Sequence, residues 1–371
     1  MIEYGNGAST VYDYDHKTFR LAHLKTTRSS GQNGLAAQIF ADVATIQDLH
    51  YTYDPAGNIT RIEDTALKTV FNGQQVDPAC DYTYDPLYRL IEATGREHIG
   101  QTVLPFTPPD GNYRDYPFVG LSQLNNPRAL RNYTERYDYD PVGNFKTMGH
   151  VPGNGAGFWA RAYAYNESSL LEPAKKSNRL SQTALQTSGG APAEPYSYDA
   201  HGNITQMPHL PLMQWDFKDE LCATSRQVVN IGAPETTFYV YSARGQRVRK
   251  ITERQDGARK NERIYLGMLD IYRGFDAGGN AALVRETLHL TDNKQRFALI
   301  ETQTIDNGVA VPSPLSAQRH QLGNHLGSAS LELDEAGGLI SYEEYSPYGN
   351  TVFSSWKQHR RGELETLSLY G

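Results

Sequence analysis

The chain repeats one segment, Tyr51-Thr-Tyr-Asp-Pro-Ala-Gly-Asn-Ile-Thr-Arg-Ile62, several times along its 371 residues. Near-complete copies begin at Tyr82, Tyr137 and Tyr196. Weaker copies begin at Tyr12, Tyr163, Trp215 and Tyr239. The shared pattern is Y-x-Y-D-x-x-G-N, followed by two apolar residues three positions apart. Self-similarity of this kind indicates a repeat architecture, and it decides the fold.

Each part of the repeat predicts a β-hairpin. Tyr51 and Tyr53 are two residues apart, so on a strand both rings leave the same face, about 6–7 Å apart. Asp54 can accept hydrogen bonds from backbone N–H groups two residues further on. The proline after it presets φ for a turn, and Gly57 accepts the positive φ of a bulge. The apolar residues that follow resume a strand with some local irregularity.

The complete copies define the candidate structural residues. We expect their ring pairs to line one face of a sheet, at Tyr51, Tyr53, Tyr82, Tyr84, Tyr137, Tyr139, Tyr196 and Tyr198. We expect their turns to be set by Asp54, Gly57, Asp140, Gly143 and Gly202. A single hairpin is marginally stable in water, so neighbours must cover its aromatic face. Stacked hairpins would place like rings on adjacent strands, about 4.8 Å apart, as a continuous ladder.

These features predict an all-β chain, an irregular array of antiparallel hairpins that forms a curved ribbon. Hydrophobic residues make up 39% of the chain, and 25 Tyr against 12 Phe indicate half-buried rings more than one dry centre. The intervals between copies vary from 19 to 55 residues, which argues against a propeller or a strict solenoid. We expect one continuous array over residues 1–353 and a divergent, disordered or truncated tail over residues 354–371.

Other segments lie between the copies of the repeat. Residues 35–49 are compatible with a short helix or with a strand leading into Tyr51. Long insertions are expected in loops rich in proline and glycine, at residues 100–127, 152–158 and 188–195.

Composition excludes several partners and sites. A net charge of −7 argues against nucleic acid, and the basic stretch over residues 244–260 is interpreted as a solvated strand face. No apolar run approaches about 18 residues, so no membrane span is expected. Cys80 and Cys222 are expected to be free thiols. The first residues lack the regions of a secretory signal.

No catalytic, cofactor-binding or metal-binding residue emerges from the sequence. His320 and His325 have a spacing that could suit a metal pair on a helix, but Gly323 and Gly327 favour a strand and a turn. The Asp-Pro-x-Gly segments are interpreted as turns. We therefore expect a protein that is not an enzyme and needs no cofactor.

Two further segments join the repeats in resembling a known family. They are Gln321-Leu-Gly-Asn-His-Leu-Gly-Ser-Ala-Ser-Leu-Glu-Leu-Asp-Glu-Ala-Gly337 and Ser341-Tyr-Glu-Glu-Tyr-Ser-Pro-Tyr-Gly349. Over about residues 4–353 the chain resembles Rhs/YD-repeat proteins, which include bacterial Rhs proteins and the C component of insecticidal toxin complexes. The resemblance implies a β-ribbon wound into a hollow shell, which encloses a variable C-terminal toxin domain until delivery.

The sequence departs from the family pattern after Phe353. The family's closing core, with an Asp-Pro-x-Gly-Leu element associated with self-cleavage, does not follow. We therefore expect a truncated fragment that also starts in the middle of a longer chain.

Three functional hypotheses remain open. The first is a non-catalytic shell segment of a secreted or cell-surface toxin, with a toxin cargo in cis and a partner shell or translocation component. The second is a surface adhesion or carbohydrate-binding module built on the same repeats. The third is a peptidase that acts on itself.

Overall fold

A computed structural model describes residues 1–29, 35–40, 42–67, 69–100, 126–153, 158–186, 193–226, 229, 231–292 and 296–356. Within these ranges the first half of the chain forms strands and one short helix. They are β1 (Ile2–Glu3), β2 (Ser9–Tyr14), β3 (Leu21–Thr27), α1 (Ala36–Ile39), β4 (Thr45–Tyr53), β5 (Ile59–Asp64), β6 (Thr69–Phe71), β7 (Gln74–Val76), β8 (Ala79–Tyr84), β9 (Leu90–His98), β10 (Leu130–Tyr139), β11 (Phe145–Pro152), β12 (Trp159–Ala164), β13 (Gln182–Gln186) and β14 (Ala193–Pro195).

The second half continues in the same way. Its strands are β15 (Ser197–Tyr198), β16 (Ile204–Gln206), β17 (Leu212–Trp215), β18 (Leu221–Ser225), β19 (Thr236–Tyr241), β20 (Arg247–Glu253), β21 (Arg259–Leu266), β22 (Leu269–Phe275), β23 (Ala281–Thr291), β24 (Arg296–Asp306), β25 (Val309–Ala310), β26 (Ser316–Gly323), β27 (Ala329–Leu333), β28 (Leu339–Tyr345) and β29 (Thr351–Trp356).

The strands form a long antiparallel meander. A 12-stranded sheet runs from β1 to β14, with β6 and β7 set aside as a separate hairpin, and a 13-stranded sheet runs from β17 to β29. The hairpin β15–β16 lies between the two sheets in sequence. Neighbours in each sheet are almost always neighbours in sequence. The predicted fold class, an all-β array of antiparallel hairpins, is confirmed.

The ribbon folds back so that its last strands pack on its first. One buried cluster joins Ala8, directly before β2, and Ile46 of β4 to Leu331, Leu333 and Phe353 of the second sheet. All five side chains are at most 2% exposed. The half-buried rings indicated by composition are therefore accompanied by a dry apolar core, which lies where the two sheets meet.

The segment over residues 35–49 contains both predicted alternatives. Its start forms the short helix α1, and its end forms the first part of β4. The insertions predicted at residues 100–127, 152–158 and 188–195 fall largely on residues 101–125, 154–157 and 187–192, which lie outside the described residues.

The predicted division of the chain stays a prediction. The proposed boundary at Phe353 falls inside β29, which continues to Trp356, and residues 357–371 lie outside the described residues. Both cysteines are free, as expected. Among the described helices, none has the length and apolar character needed to cross a membrane.

The turn glycines adopt the left-handed conformation that the repeat requires. Gly57, Gly143 and Gly202 have φ of 110°, 97° and 93°. Each turn follows a register shift between the two aromatic positions, as between Thr52 and Tyr53. The bulge absorbs the extra residue that lets the hairpin close.

Replacing Gly143 with alanine should lower the free energy of unfolding by about 1–2 kcal/mol, because a Cβ is strained at positive φ. No atom crowds that position, so the loss would come from the backbone alone. The matched control is Gly149→Ala on the same hairpin, where φ is ordinary and space is open. The control should be neutral or slightly stabilising in urea unfolding, and equal losses in both variants would contradict the turn argument.

Candidate functional site

The turn explains the spacing from Asp54 to Asn58 within the repeat. Oδ1 of Asp54 accepts hydrogen bonds from the backbone N–H groups of Gly57 and Asn58, at 2.7 and 2.8 Å. Its Oδ2 accepts from Nδ2 of Asn58 at 2.7 Å. The bond from the Asn58 side chain is the main cause that holds the pKa of Asp54 below its usual range. The carboxylate therefore organises the whole turn.

The same arrangement recurs in the copy at Tyr137. Asp140 accepts from the backbone N–H groups of Val142 and Asn144, at 3.0 and 2.9 Å, and from Nδ2 of Asn144 at 2.8 Å. Burial alone would raise the pKa of Asp140, but the bonds from Asn144 outweigh it and lower that pKa. The asparagine of the repeat therefore has a second role: its side chain donates a hydrogen bond to the aspartate carboxylate.

In seven hairpins of the described residues, the aromatic residue directly before the turn connects its hairpin to the hairpin before it. Its polar hydrogen is donated to the carbonyl oxygen of the apolar residue that resumes the preceding hairpin, at 2.7–3.0 Å. The pairs are Tyr53 to Leu21, Tyr84 to Ile59, Tyr139 to Leu90, Tyr198 to Leu180, Trp215 to Ile204, Tyr241 to Leu221 and Tyr345 to Ala329. Trp215 is one of these seven residues, so the copy predicted to begin at Trp215 has that residue in the second aromatic position and not in the first. Tyrosine serves better than phenylalanine here because a carbonyl away from water needs a donor.

Replacing Tyr84 with phenylalanine should cost about 1 kcal/mol of unfolding free energy, since the Ile59 carbonyl loses its donor at 2.8 Å. The matched control is Tyr14→Phe, at the equivalent position of the first copy, where the side chain is 59% exposed. That change should stay within about 0.5 kcal/mol. Urea unfolding of both variants checks the difference, and a Tyr84→Phe variant as stable as the control would refute the linking role.

Arginine replaces asparagine in some copies and also reaches the next hairpin. Arg20 lies over the Tyr53 ring at 5.5 Å and donates to the Asp54 carbonyl oxygen at 3.0 Å. Arg89 lies over the Tyr139 ring at 5.0 Å and donates to the carbonyl oxygen of the Asp140 turn at 2.9 Å. Sequence analysis missed this role, although arginine at the asparagine position was a visible signal.

In the copies at Tyr51 and Tyr137, the first aromatic residue is the more buried one. Tyr51 and Tyr137 are 8% and 4% exposed, and Tyr82 is half-buried. Burial raises the pKa of all three phenols above its usual value. Tyr196 is also half-buried and lies just before β15.

The expected ladder of like rings on adjacent strands is wrong. Tyr51, Tyr82 and Tyr137 lie on β4, β8 and β10, and one strand separates each from the next. A hairpin contributes two strands to the sheet, so copies of one position repeat at about twice the spacing of neighbouring strands. Other rings fill the interval, as where Tyr139 stacks on Phe145 at 4.9 Å.

The aromatic face around Tyr137 is covered from the far end of the chain. The Tyr348 ring meets the Tyr137 and Phe145 rings edge-on, both at 5.0 Å. The hydroxyl groups of Tyr139 and Tyr348 lie 2.7 Å apart. This contact places the Ser341–Gly349 motif of the last strands against a repeat of the first sheet.

An ion pair between a buried arginine and a partly buried glutamate joins the two sheets beside this face. Nε of Arg96 on β9 donates to both carboxylate oxygens of Glu344 on β28, at 3.0 and 2.9 Å. Arg96 is 3% exposed, and the Tyr342 hydroxyl donates to Glu344 at 2.7 Å. Burial raises the pKa of the nearby Asp64 carboxyl to about 7. The pair could not be predicted from a local pattern, because 248 positions separate its members.

Two known proteins align with this chain over its whole length. No family model matches it. It is 31% identical over 370 residues to toxin subunit YenC1 and 28% identical over 372 residues to toxin subunit YenC2, both of Yersinia entomophaga. Each alignment covers 100% of this chain, but only 35% and 36% of the relatives. The chain therefore spans about a third of the length of the curated relatives that it matches.

Solved structures show the same fold. A crystal structure of TcdB2-TccC3 is 25% identical with a TM-score of 0.71, covering 96% of this chain and 16% of that chain. The structure of the Photorhabdus luminescens Tc holotoxin pore is 26% identical with a TM-score of 0.71, covering 96% and 15%. Over its whole length the chain is similar to these toxin subunits, and its fold is that of the matched TcdB2-TccC3 chain. The resemblance carried by the repeats and by the two C-terminal motifs is thereby confirmed.

A second buried polar cluster lies within the Rhs repeats, on β9, β10 and β11. His150 contacts a Glu97 oxygen through Nε2 at 3.0 Å and a Glu135 oxygen through Nδ1 at 3.2 Å. Nε of Arg131 donates to Glu97 at 2.7 Å, and the Tyr137 hydroxyl donates to Glu135. Burial alone would lower the pKa of His150, but the hydrogen bonds that its ring makes to the Glu135 and Glu97 carboxylates outweigh it and raise the pKa to about 9.

The free energy of unfolding should fall as the pH rises through the pKa of His150. A raised pKa adds stability fully below the unfolded value of about 6.5, and that stability is lost as the pH passes through the folded value of about 9. We expect a loss of about 2–3 kcal/mol between about pH 6 and pH 9.5 in urea unfolding. His150→Gln should remove most of this slope, and an unchanged slope in the variant would contradict the assignment.

The other singled-out histidines and basic residues have structural roles. His320 lies on β26 and His325 in the turn after it, so the predicted strand and turn are observed. The His325 ring meets the Tyr51 ring edge-on at 6.2 Å. In the basic stretch, Arg247 lies over the Tyr265 ring at 5.0 Å and Arg249 forms an ion pair with Glu262.

Proposed function

We propose that this chain is a structural, non-catalytic segment of the shell of a toxin complex, which encloses a toxin for delivery. The supporting observation is that the whole chain aligns with toxin subunits while its last strands close onto its first. A ribbon that folds back in this way can enclose a volume, whereas a flat sheet cannot. The hydrogen bonds from each hairpin to the one before it would make that wall continuous.

The partners follow from the same proposal. The cargo would be a toxin in cis, and a further shell or translocation component would complete the enclosure. The matched structures contain TcdB2 together with TccC3, which supports a shell of more than one subunit. Secretion or cell-surface exposure as part of the larger toxin is proposed on the same basis. Carbohydrate binding, the rival hypothesis, receives no support from these relatives.

The test is protease protection in the complete complex. The full-length protein that contains this chain would be produced together with a partner shell subunit, and the purified complex would be treated with a broad-specificity protease. We expect a segment C-terminal to the shell to survive in the complex and to be degraded rapidly once the shell is unfolded in urea.

A matched pair of variants sharpens this test. Arg96→Met, which removes the ion pair between the sheets, should speed degradation of the protected segment. Arg136→Met changes an exposed ion pair with Glu92 on the same sheet and should leave protection intact. The proposal fails if no segment is protected, or if purified protein binds saccharides tightly and has no cargo. Loss of mass on incubation, abolished by an aspartate substitution, would instead indicate a self-acting peptidase.

A further inference from the structure

A cluster of imidazole and carboxylate groups lies across three neighbouring strands of the first sheet. His23 on β3 is paired directly with Asp13 on β2 and with His50 on β4. Asp48 lies two residues before His50 on the same strand, so its side chain leaves the same face. The opposite face of β3 carries Leu24 and Thr26, which are buried in the protein. The cluster is therefore on the outer face of the sheet.

Three potential ligand atoms converge in this cluster. Nε2 of His23 lies 2.6 Å from Oδ1 of Asp48, and Nε2 of His50 lies 3.6 Å from the same oxygen. One ligand atom each from His23, Asp48 and His50 lie within 4.8 Å of one another. Ligands of a tetrahedral zinc ion lie about 3.3 Å apart, given bonds of about 2.0–2.2 Å. Small side-chain rotations would bring these three atoms to that spacing.

The second nitrogen of His23 has the partner that metal-bound histidines need. Nδ1 of His23 lies 2.9 Å from Oδ2 of Asp13. A carboxylate there holds the proton on Nδ1 and leaves the Nε2 lone pair directed at the cluster. Asp13 would thus orient the ring without touching the ion. This carboxylate–histidine arrangement is typical of metal sites, and its partners tune affinity strongly.

An ion pair alone does not explain the position of His50. Its Nε2 is directed at an oxygen that His23 already contacts, and 3.6 Å is too long for a hydrogen bond. The His23 and His50 rings are stacked at 4.5 Å with 17° between their planes. Two stacked imidazoles whose Nε2 atoms both face one carboxylate would supply two of the three protein ligands of a metal site. The fourth position, beside the half-exposed His50, is open to solvent.

We propose that His23, His50 and Asp48 bind a divalent transition-metal ion of the zinc class, with Asp13 as the positioning residue. Two imidazoles and one carboxylate suit zinc, whereas Mg²⁺ and Ca²⁺ prefer oxygen ligands only. Lys25 lies 3.4 Å from Oδ2 of Asp48 and leaves Oδ1 for the ion. The bound ion would join β3 and β4, and through Asp13 also β2. Sequence analysis expected no metal ligand, and this proposal replaces that expectation.

The experiment is a metal titration of the full chain after treatment with a chelator. Zn²⁺ would be followed by calorimetry, and Co²⁺ by the visible absorption of a four-coordinate ion. We expect one strong site per chain, with Mg²⁺ and Ca²⁺ at equal concentration failing to compete. Zn²⁺ should also raise the thermal unfolding temperature of the unaltered chain.

Variants identify the ligands. His50→Gln alters a half-exposed side chain, so the fold should survive, and it should weaken Zn²⁺ binding by at least about tenfold. Asp13→Asn should weaken binding by about 10–100-fold without changing the stoichiometry. The matched control is His201→Gln, an exposed histidine paired with Asp219 outside the cluster, which should change nothing. Absence of Zn²⁺ binding, or equal loss in the control, would overturn the proposal.

Discussion

Replacing Arg96 with methionine should lower the free energy of unfolding by about 3–5 kcal/mol. The change leaves the Glu344 carboxylate in the contact between the sheets without its cation. Methionine keeps much of the apolar stem, so the loss would report on charge more than on volume. Urea unfolding followed by far-ultraviolet circular dichroism measures the change.

Two further variants separate this effect from a general loss of charge. Arg136→Met removes an exposed pair with Glu92, where Arg136 is 70% exposed, and should cost less than about 1 kcal/mol. A double variant, Arg96→Met with Glu344→Leu, removes both charges and should recover at least half of the loss. If Arg96→Met and Arg136→Met lose the same stability, the two sheets are not held together by this pair.

Replacing Phe353 with alanine should cost about 3–5 kcal/mol, because the ring is lost from a closely packed core and a cavity remains. Phe353 is 1% exposed, and its ring centroid lies 5.8 Å from that of Tyr342. It belongs to the cluster in which the last strands meet the first. The loss should therefore weaken the closure of the ribbon as well as the local strand pairing.

The matched control for this prediction is Phe217→Ala. Phe217 is 87% exposed, so its removal should change the free energy of unfolding by less than about 0.5 kcal/mol. Urea unfolding of both variants would be compared on the same chain. Similar losses for the two phenylalanines would show that the apolar contact between the sheets contributes little to stability.

Together the two predictions address the feature on which the proposed shell depends. A ribbon of hairpins has free strand edges and an aromatic face that water can reach. Packing of the last strands on the first covers part of that face, as Tyr348 does at Tyr137. If both substitutions lower the free energy of unfolding as expected, the contact between the two sheets stabilises the folded chain.

The turns could be predicted from neighbouring residues in the sequence. Asp54, Gly57 and Asn58 lie within five consecutive positions, and the roles of the first two follow from backbone geometry alone. The repeats also predicted the all-β class, because hairpins of this kind cannot be built on helices. Sequence reasoning assigned the aromatic pairs to one sheet face but placed their copies on adjacent strands. Counting two strands for each hairpin would have corrected the spacing.

Local sequence accounts for the hairpins, their turns and the family resemblance, because these depend on interactions between residues fewer than about a dozen positions apart. Which hairpins meet depends on the folding of the whole chain. The pairing of Arg96 with Glu344 and the convergence of His23 with His50 depend on how strands twist and pack, and no local pattern encodes that. The physical reason is that a repeat specifies the same unit everywhere, whereas closure depends on the few residues in which the copies differ.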